Sequence, residues 1–329
     1  MDNCSREEKN NICLKSQDTK DAQGDYATVR VPGDKRRSMF NIAIVQAGYC
    51  IVMSGLYTGA AISAGLGFWQ SILAIILGNA ILTVYSALMG IAGAREGVST
   101  SVLARHSFGR DGSKLVGLVA AITMLGWYAV QVGFFGETMH TMFPGAGFIT
   151  SVKFAGLWGG ILMMITAYHG YKGLATLSKI AVPAIIGLSI WGITLAVSAK
   201  GGWGALMAMK PTTQMTLGSA AVLIVGSFAG GGACQADITR YAKDAKSVWV
   251  SSLIGYLGAN SFIIVAGMVT SMAVGSADLP YVLLQLGLGI PALIVLISAQ
   301  WTSNDNNLYT ASLGFSNLTQ LEKNKIVII

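Results

Sequence analysis

Eight apolar stretches of about 20 residues or more, each long enough to cross the hydrocarbon core of a bilayer, dominate the sequence and are separated by short polar gaps. They run over about 38 to 64, 67 to 94, 113 to 137, 151 to 171, 176 to 199, 214 to 240, 246 to 275 and 284 to 317. Lipid offers no hydrogen bonds, so every backbone amide and carbonyl in such a stretch must be satisfied inside a helix or a closed barrel. Runs this long and continuous are helices, and the chain reads as an all-α membrane protein. With 53% of its 329 residues hydrophobic and 11% charged, it has too few charges to coat a water-soluble globule of this size.

The placement of charge orients the bundle. Residues 1 to 37 are rich in Lys, Asp, Asn and Ser, lack apolar periodicity and carry no secretory signal pattern, so they read as a disordered cytoplasmic tail. Lys35, Arg36 and Arg37 stand directly before the first span. With the N-terminus inside, the inner gaps hold Arg95, Arg105, Arg110, Lys114, Lys172, Lys179, Arg240, Lys243, Lys246, Lys323 and Lys325, whereas the outer gaps hold Lys153, Lys200 and Lys210. That asymmetry follows the positive-inside rule for a protein of the cell membrane, and it also checks the segment count. The net charge of +7 is spread through gaps and tail. No basic face interleaved with aromatics is present, so a nucleic-acid partner is not expected.

Cys4 and Cys13 lie in the tail and Cys50 and Cys234 in spans, with no disulfide framework or CxxC spacing. His106, His140 and His169 are scattered, so no metal cofactor is expected. No nucleophile and base fall at a convincing spacing, so an enzyme is not expected. Small residues four apart, Gly55 with Gly59, Gly156 with Gly160 and Gly226 with Gly230, predict close helix packing.

Three spans depart from plain apolar helices. Segments one (NIAIVQAGYCIVMSGLYTGA) and six (AAVLIVGSFAGGGACQADITRY) carry glycines and polar residues at mid-depth. They occupy equivalent places in two consecutive five-helix units, the pattern of an inverted-repeat transporter whose site lies at paired helix breaks. Gly230, Gly231 and Gly232 each cost a helix about 1 kcal/mol relative to Ala, which fits either a break or tight packing. Segment eight places Thr302, Ser303, Asn304, Asp305, Asn306 and Asn307 near its centre, where polar groups are expensive and mark function. Helical spacing sets Ala299, Thr302, Ser303 and Asn306 on one face. A carbonyl and two hydroxyls facing the carbonyls of a broken helix form an uncharged oxygen cage suited to a hard cation such as sodium.

Three motifs then carry a resemblance. GVSTSVLARHSFG (Gly97 to Gly109), VGSFAGGGACQADITRYAKDAK in segment six and its loop, and WTSNDNNLYTASLGFSNLT in segment eight resemble the nucleobase:cation symporter-1 family, and within it the bacterial cytosine-carrying branch. The likeness runs from about residue 38 to 320. It implies a leucine-transporter-like inverted-repeat fold with helices one and six broken. Eight of about twelve helices are present: a first repeat over about 38 to 199, an incomplete second over about 214 to 320, and a C-terminal end at 321 to 329. Carried over residue by residue, it implies a sodium site of main-chain oxygens of Gly48, Ile51 and Ala299 with the side chains of Thr302 and Ser303. It also implies an aromatic sandwich of Trp127 and Phe228 around a planar base.

Stacking discriminates little among bases, so specificity falls to hydrogen-bonding groups: Ser227, Gly230, Asn304 and Gln131, which lies one turn from Trp127. Met124, where the cytosine-carrying branch has Gln, and Gln131, where it has a small residue, widen the expected substrates to purines, hydantoins and vitamin-precursor pyrimidines. The expectation is therefore a cation-coupled symporter, with sodium or a proton as the coupling ion, importing a nucleobase by alternating access. The shortened second repeat leaves a non-transporting base sensor or a truncated fragment as the other reading.

Overall fold

The computed structural model describes residues 25 to 276 and 279 to 328, which are helical throughout their spans; among them there is no β-strand. The first span is two helices, α1 (Met39–Cys50) and α2 (Met53–Gly65), bent by 55° at Ile51 and Val52. The second is α3 (Phe68–Glu96), ended by Gly97 at φ 69°, the left-handed turn that glycine makes without penalty. A short α4 (Thr100–Leu103) leads into α5 (Arg105–Met142), which kinks at Gly109 before crossing as the third span. Spans four and five are α6 (Val152–Tyr168) and α7 (Gly170–Ala199), followed by a short helix α8 (Trp203–Met207) in the loop.

Span six is α9 (Leu217–Ala233), continued after Cys234 and Gln235 by α10 (Ala236–Thr239). Span seven runs from α11 (Ala245–Ser252) through a π-helical stretch (Leu253–Asn260) into α12 (Ser261–Val274). A short α13 (Leu279–Gln285), span eight as α14 (Gly289–Thr319), and α15 (Lys323–Ile328) complete the described chain. Among the described residues, four helices are long and apolar enough to cross a membrane, five with the bent first pair. Helices α6 and α9, of 17 residues each, are shorter, and α14 has the length but a polar middle.

Small residues draw the spans together where the sequence places them. Gly59 of α2 lies against the backbone of Ile264 and Met268 on α12, and Gly267 of α12 lies reciprocally against the backbone at Leu56. Gly156 and Gly160 receive Val132 of α5, but Gly226 faces open space. A Cβ on residue 59 would stand 2.6 Å from the Met268 amide nitrogen, a contact only a backbone shift relieves. Gly59→Val is therefore expected to cost about 3 kcal/mol of stability, measured as a lowered thermal midpoint and a reduced monodisperse yield in detergent. An unchanged midpoint would contradict this packing.

The glycine triplet in span six serves packing, and the interruption follows it. A Cβ at position 231 would meet the Tyr49 ring, and one at 232 would meet Tyr85 and Ser86, so the helix carries through the triplet and loosens at Cys234 and Gln235. There the Gln235 amide donates to the Gln46 carbonyl oxygen at 2.8 Å, and the Tyr256 hydroxyl donates to the Gln235 carbonyl oxygen at 3.1 Å. One buried polar seam thus ties span one, the break in span six and the π-helical stretch of span seven.

Residues 25 to 37, read from sequence as part of a disordered tail, are packed against the end of the bundle that carries Gly97 and Tyr241. The Val31 amide donates to the Gly97 carbonyl at 2.8 Å and the Arg37 amide to the Tyr241 carbonyl at 2.7 Å. Asp25 accepts from the Tyr241 hydroxyl (2.7 Å) and the Tyr171 amide (3.1 Å). The fully buried Arg240 guanidinium donates to the carbonyls of Tyr26 (2.7 Å) and Asp25 (3.0 Å) and to the Tyr309 hydroxyl (2.5 Å). Lys323, at the start of α15, donates to the carbonyls of Ala167 and Tyr168, each at 3.0 Å. Residues 1 to 24, with Cys4 and Cys13, lie outside the described residues.

Candidate functional site: a cleft at the break in span one

The bend between α1 and α2 exposes backbone that a straight helix would consume. Among the described residues, the carbonyls of Gly48, Tyr49, Cys50 and Ile51 accept no backbone hydrogen bond, because Ile51 leaves the helical region (φ −81°, ψ 87°) and Val52 is extended. The Ser303 hydroxyl on α14 reaches toward the Tyr49 carbonyl at 3.5 Å while donating to the Ala299 carbonyl at 2.9 Å. Thr302 donates to the Ser298 carbonyl at 2.9 Å and lies 3.4 Å from the Ala299 carbonyl. Ala299, Thr302 and Ser303 are all buried. Ser178 of α7 packs against Gly48, and its hydroxyl, buried without a partner among the described residues, adds an oxygen that sequence spacing could not supply.

These donors are carbonyls and hydroxyls with no carboxylate or imidazole among them, which fits a hard monovalent cation better than a transition metal. Among the described residues no group of three or more His, Cys, Asp or Glu is placed to hold a metal ion.

Beside this oxygen cluster lies a narrow cleft with about 20 Å³ of free space, lined by Tyr49, Val52, Ser54, Trp127, Gln131, Ser227, Phe228, Gly231, Ser303 and Asn307. That is room for about one water, so a larger ligand enters only as the walls move apart. Phe228 is fixed edge-to-face by Tyr49 (5.4 Å between centroids) and by Tyr256 (5.7 Å), the geometry aromatic quadrupoles favour. Trp127 and Gln131 project from neighbouring turns of α5. Gln131 is 1% exposed, and neither its Nε2 nor its Oε1 has a hydrogen-bond partner among the described residues. Buried carboxamides are nearly always satisfied, so this donor and acceptor pair at a cleft wall is an open position for a polar ligand.

The sequence-expected substrate residues divide. Trp127, Gln131, Ser227 and Phe228 share the cleft, though the Ser227 hydroxyl proton is spent on the Ile224 carbonyl at 2.7 Å. Asn304 does not reach it: its amide donates to the Tyr128 carbonyl at 3.2 Å and lies 3.3 Å from the Met163 sulfur, toward α5 and α6. Gly230 opens instead on a separate crevice with Thr123, Met124 and Cys234. Tyr49 was not anticipated, and Asn307 was marked only among the polar residues at the centre of segment eight. Its place in the cleft was findable, since it follows Ser303 by four residues and so shares its face.

A family model described as permease for cytosine/purines, uracil, thiamine, allantoin matches residues 30 to 327. The chain belongs to this permease family. The cytosine permease of Escherichia coli (strain K12) is 34% identical to this permease over 314 residues, covering 95% of this chain and 73% of its own. Among solved structures, Mhp1, a nucleobase-cation-symport-1 family transporter in a closed conformation with bromovinylhydantoin bound, superposes with a TM-score of 0.82 at 18% identity, covering 92% of this chain and 72% of that one. MhsT in complex with L-phenylalanine superposes with a TM-score of 0.61 at 17% identity, over 88% of this chain and 76% of that one. The fold of this permease is the leucine-transporter-like arrangement that the family resemblance implied. It is a multi-pass membrane protein.

Proposed function

We propose that this permease binds a nucleobase or closely related heterocycle in the cleft between Trp127 and Phe228 and carries it into the cell by alternating access, together with a sodium ion. The N-terminus is cytoplasmic, by the distribution of Lys and Arg. The observation that carries the reading is the unpartnered carboxamide of Gln131 in a cleft walled by two aromatic side chains. A nucleobase edge presents adjacent donors and acceptors on a planar ring; it satisfies both atoms of a carboxamide while its faces stack. The cleft's hydrogen-bonding groups are Gln131, Asn307 and the Ser227 oxygen, with Gly230 and Asn304 supporting neighbouring packing. Cytosine, purines and hydantoins all offer such an edge, and the family description spans several of them.

Sodium occupies the oxygens of Gly48, Ile51, Ala299, Thr302 and Ser303, joining the end of α1 to α14. It therefore favours the arrangement in which the cleft is complete, and base and ion tighten each other's binding reciprocally. A thermal-shift screen of bases and hydantoins in sodium and in choline buffers tests this. At least one compound is expected to raise the midpoint more in sodium. The double substitution Thr302→Ala with Ser303→Ala is expected to abolish the sodium increment and leave a weaker, sodium-independent shift. Equal shifts in sodium and choline for the unsubstituted protein would remove sodium from the account.

A further inference from the structure

Away from the cleft, at the inner end of the bundle, four cationic side chains converge on one surface cleft of about 590 Å³: Arg30, Arg36, Arg95 and Lys243. They come from the N-terminal arm, the last turn of α3 and the loop after α10, elements distant in sequence that the fold brings together. Arg36 holds its place by donating to the carbonyls of Ala94 and Ala242, the latter at 2.7 Å, and Arg30 donates to the Arg95 carbonyl at 3.2 Å. Among the described residues none of the four is ion-paired with a carboxylate. Of the nearby acids, Asp34 pairs with Lys35 at 3.1 Å, Asp244 caps α11 through the Ser247 amide at 2.7 Å and lies within electrostatic reach of Lys243, and Glu96 follows Arg95 on the exposed end of α3. Burial, and then the Arg30 charge, hold the Arg36 pKa below the usual guanidinium value. Four cationic groups gathered with no carboxylate in ion-pair contact repel one another, and a bound anion recovers that energy.

The apolar surroundings indicate which anion. Phe40, at the start of α1 and four residues after Arg36, is 70% exposed, and Leu88, two turns before Arg95 on α3, is 60% exposed. Such side chains on the outside of a membrane bundle face acyl chains, so the cationic cleft stands at head-group level, where basic clusters attract acidic lipids. We propose that Arg30, Arg36, Arg95 and Lys243 form a binding site for the phosphate of an anionic lipid head group of the inner leaflet. A bound phosphate bridges the N-terminal arm to α3 and to the loop after α10, and so fastens the inner closure of the bundle.

The test is titration of the purified protein in a neutral maltoside detergent with dihexanoyl phosphatidylglycerol, dihexanoyl phosphatidylcholine and sodium phosphate. Arg36 is left in place because it ties the arm to α3, and Arg30→Gln, Arg95→Gln and Lys243→Gln are combined. At about 1 kcal/mol per basic residue near anionic lipid, the triple variant is expected to bind phosphatidylglycerol about 100-fold more weakly. The zwitterionic lipid and free phosphate are expected to bind far more weakly than phosphatidylglycerol to the unsubstituted protein. The charge-preserving set Arg30→Lys, Arg95→Lys and Lys243→Arg is expected to retain most of the affinity, which separates lost charge from lost fold. Equal phosphatidylglycerol affinity in the neutralised and unsubstituted proteins would overturn the site. Free phosphate binding as tightly as the lipid would overturn the head-group assignment, and a charge-preserving variant no better than the neutralised one would overturn the electrostatic basis.

Discussion

Replacing Arg240 with methionine is expected to destabilise the chain by about 3 kcal/mol and to release the segment from Asp25 to Val31 from the end of the bundle against which it packs. Arg240 is fully buried, and its guanidinium serves the Tyr26 and Asp25 carbonyls and the Tyr309 hydroxyl while lying 3.9 Å from the Asp25 carboxylate. Methionine fills much of the volume but returns none of those hydrogen bonds, and buried groups left unpaired cost about 1 to 3 kcal/mol each. The Asp25 side chain keeps partial contact with water, which holds the total near the lower end of buried-pair losses. Arg240→Lys is expected to recover only part of the loss, because an ammonium cannot span three separated acceptors as a planar fork does. Thermal midpoint and limited trypsin digestion after Arg30 and Lys35 read the two effects separately. A midpoint within a degree of the original with an equally protected arm would contradict this role.

Gln131→Leu carries the second large effect, with opposite signs on stability and on binding. Both polar atoms of the Gln131 side chain are buried and unpartnered, so leucine is expected to raise stability in the absence of ligand by about 1 to 3 kcal/mol. The same change removes the cleft's one open donor and acceptor pair, and base binding is expected to weaken by about ten- to hundredfold. A structural residue would lose stability on this substitution. Higher midpoints with intact base affinity would show that the carboxamide is not used by the ligand.

Much of the span pattern was legible because period, length and charge asymmetry are local properties. The interrupted first span was signalled by its glycines and polar residues, yet the bend falls at Ile51 and Val52, which have no intrinsic breaking tendency. The contacts around Tyr49, Ser178 and Ser303 set its place, and these come from α7 and α14. In span six the glycine triplet pointed to the region of the interruption, but its immediate role is to admit Tyr49, Tyr85 and Ser86. The loosening one turn later is held by Gln46 and Tyr256 from other spans.

The arm from Asp25 was illegible for a similar reason. Its composition resembles a solvated tail, and the buried Arg240 that satisfies its carbonyls lies more than 200 residues away. In the cleft, the four-residue spacing of Trp127 and Gln131 put both on one wall. Phe228 joined them through family resemblance alone. Asn304 and Gly230 point elsewhere because each is one residue, about 100° of helical turn, from a neighbour that lines the cleft: Ser303 and Gly231.

The most direct measurement is equilibrium binding of radiolabelled cytosine, hypoxanthine and a hydantoin to the purified protein in sodium and in choline, with Trp127→Leu alongside. At least one compound is expected to bind saturably and more tightly in sodium, and the substitution is expected to weaken it by about ten- to hundredfold, the range of one lost stacking partner. Binding of the same strength with Trp127→Leu, or no saturable binding of any base by a folded protein, would contradict a base held between Trp127 and Phe228.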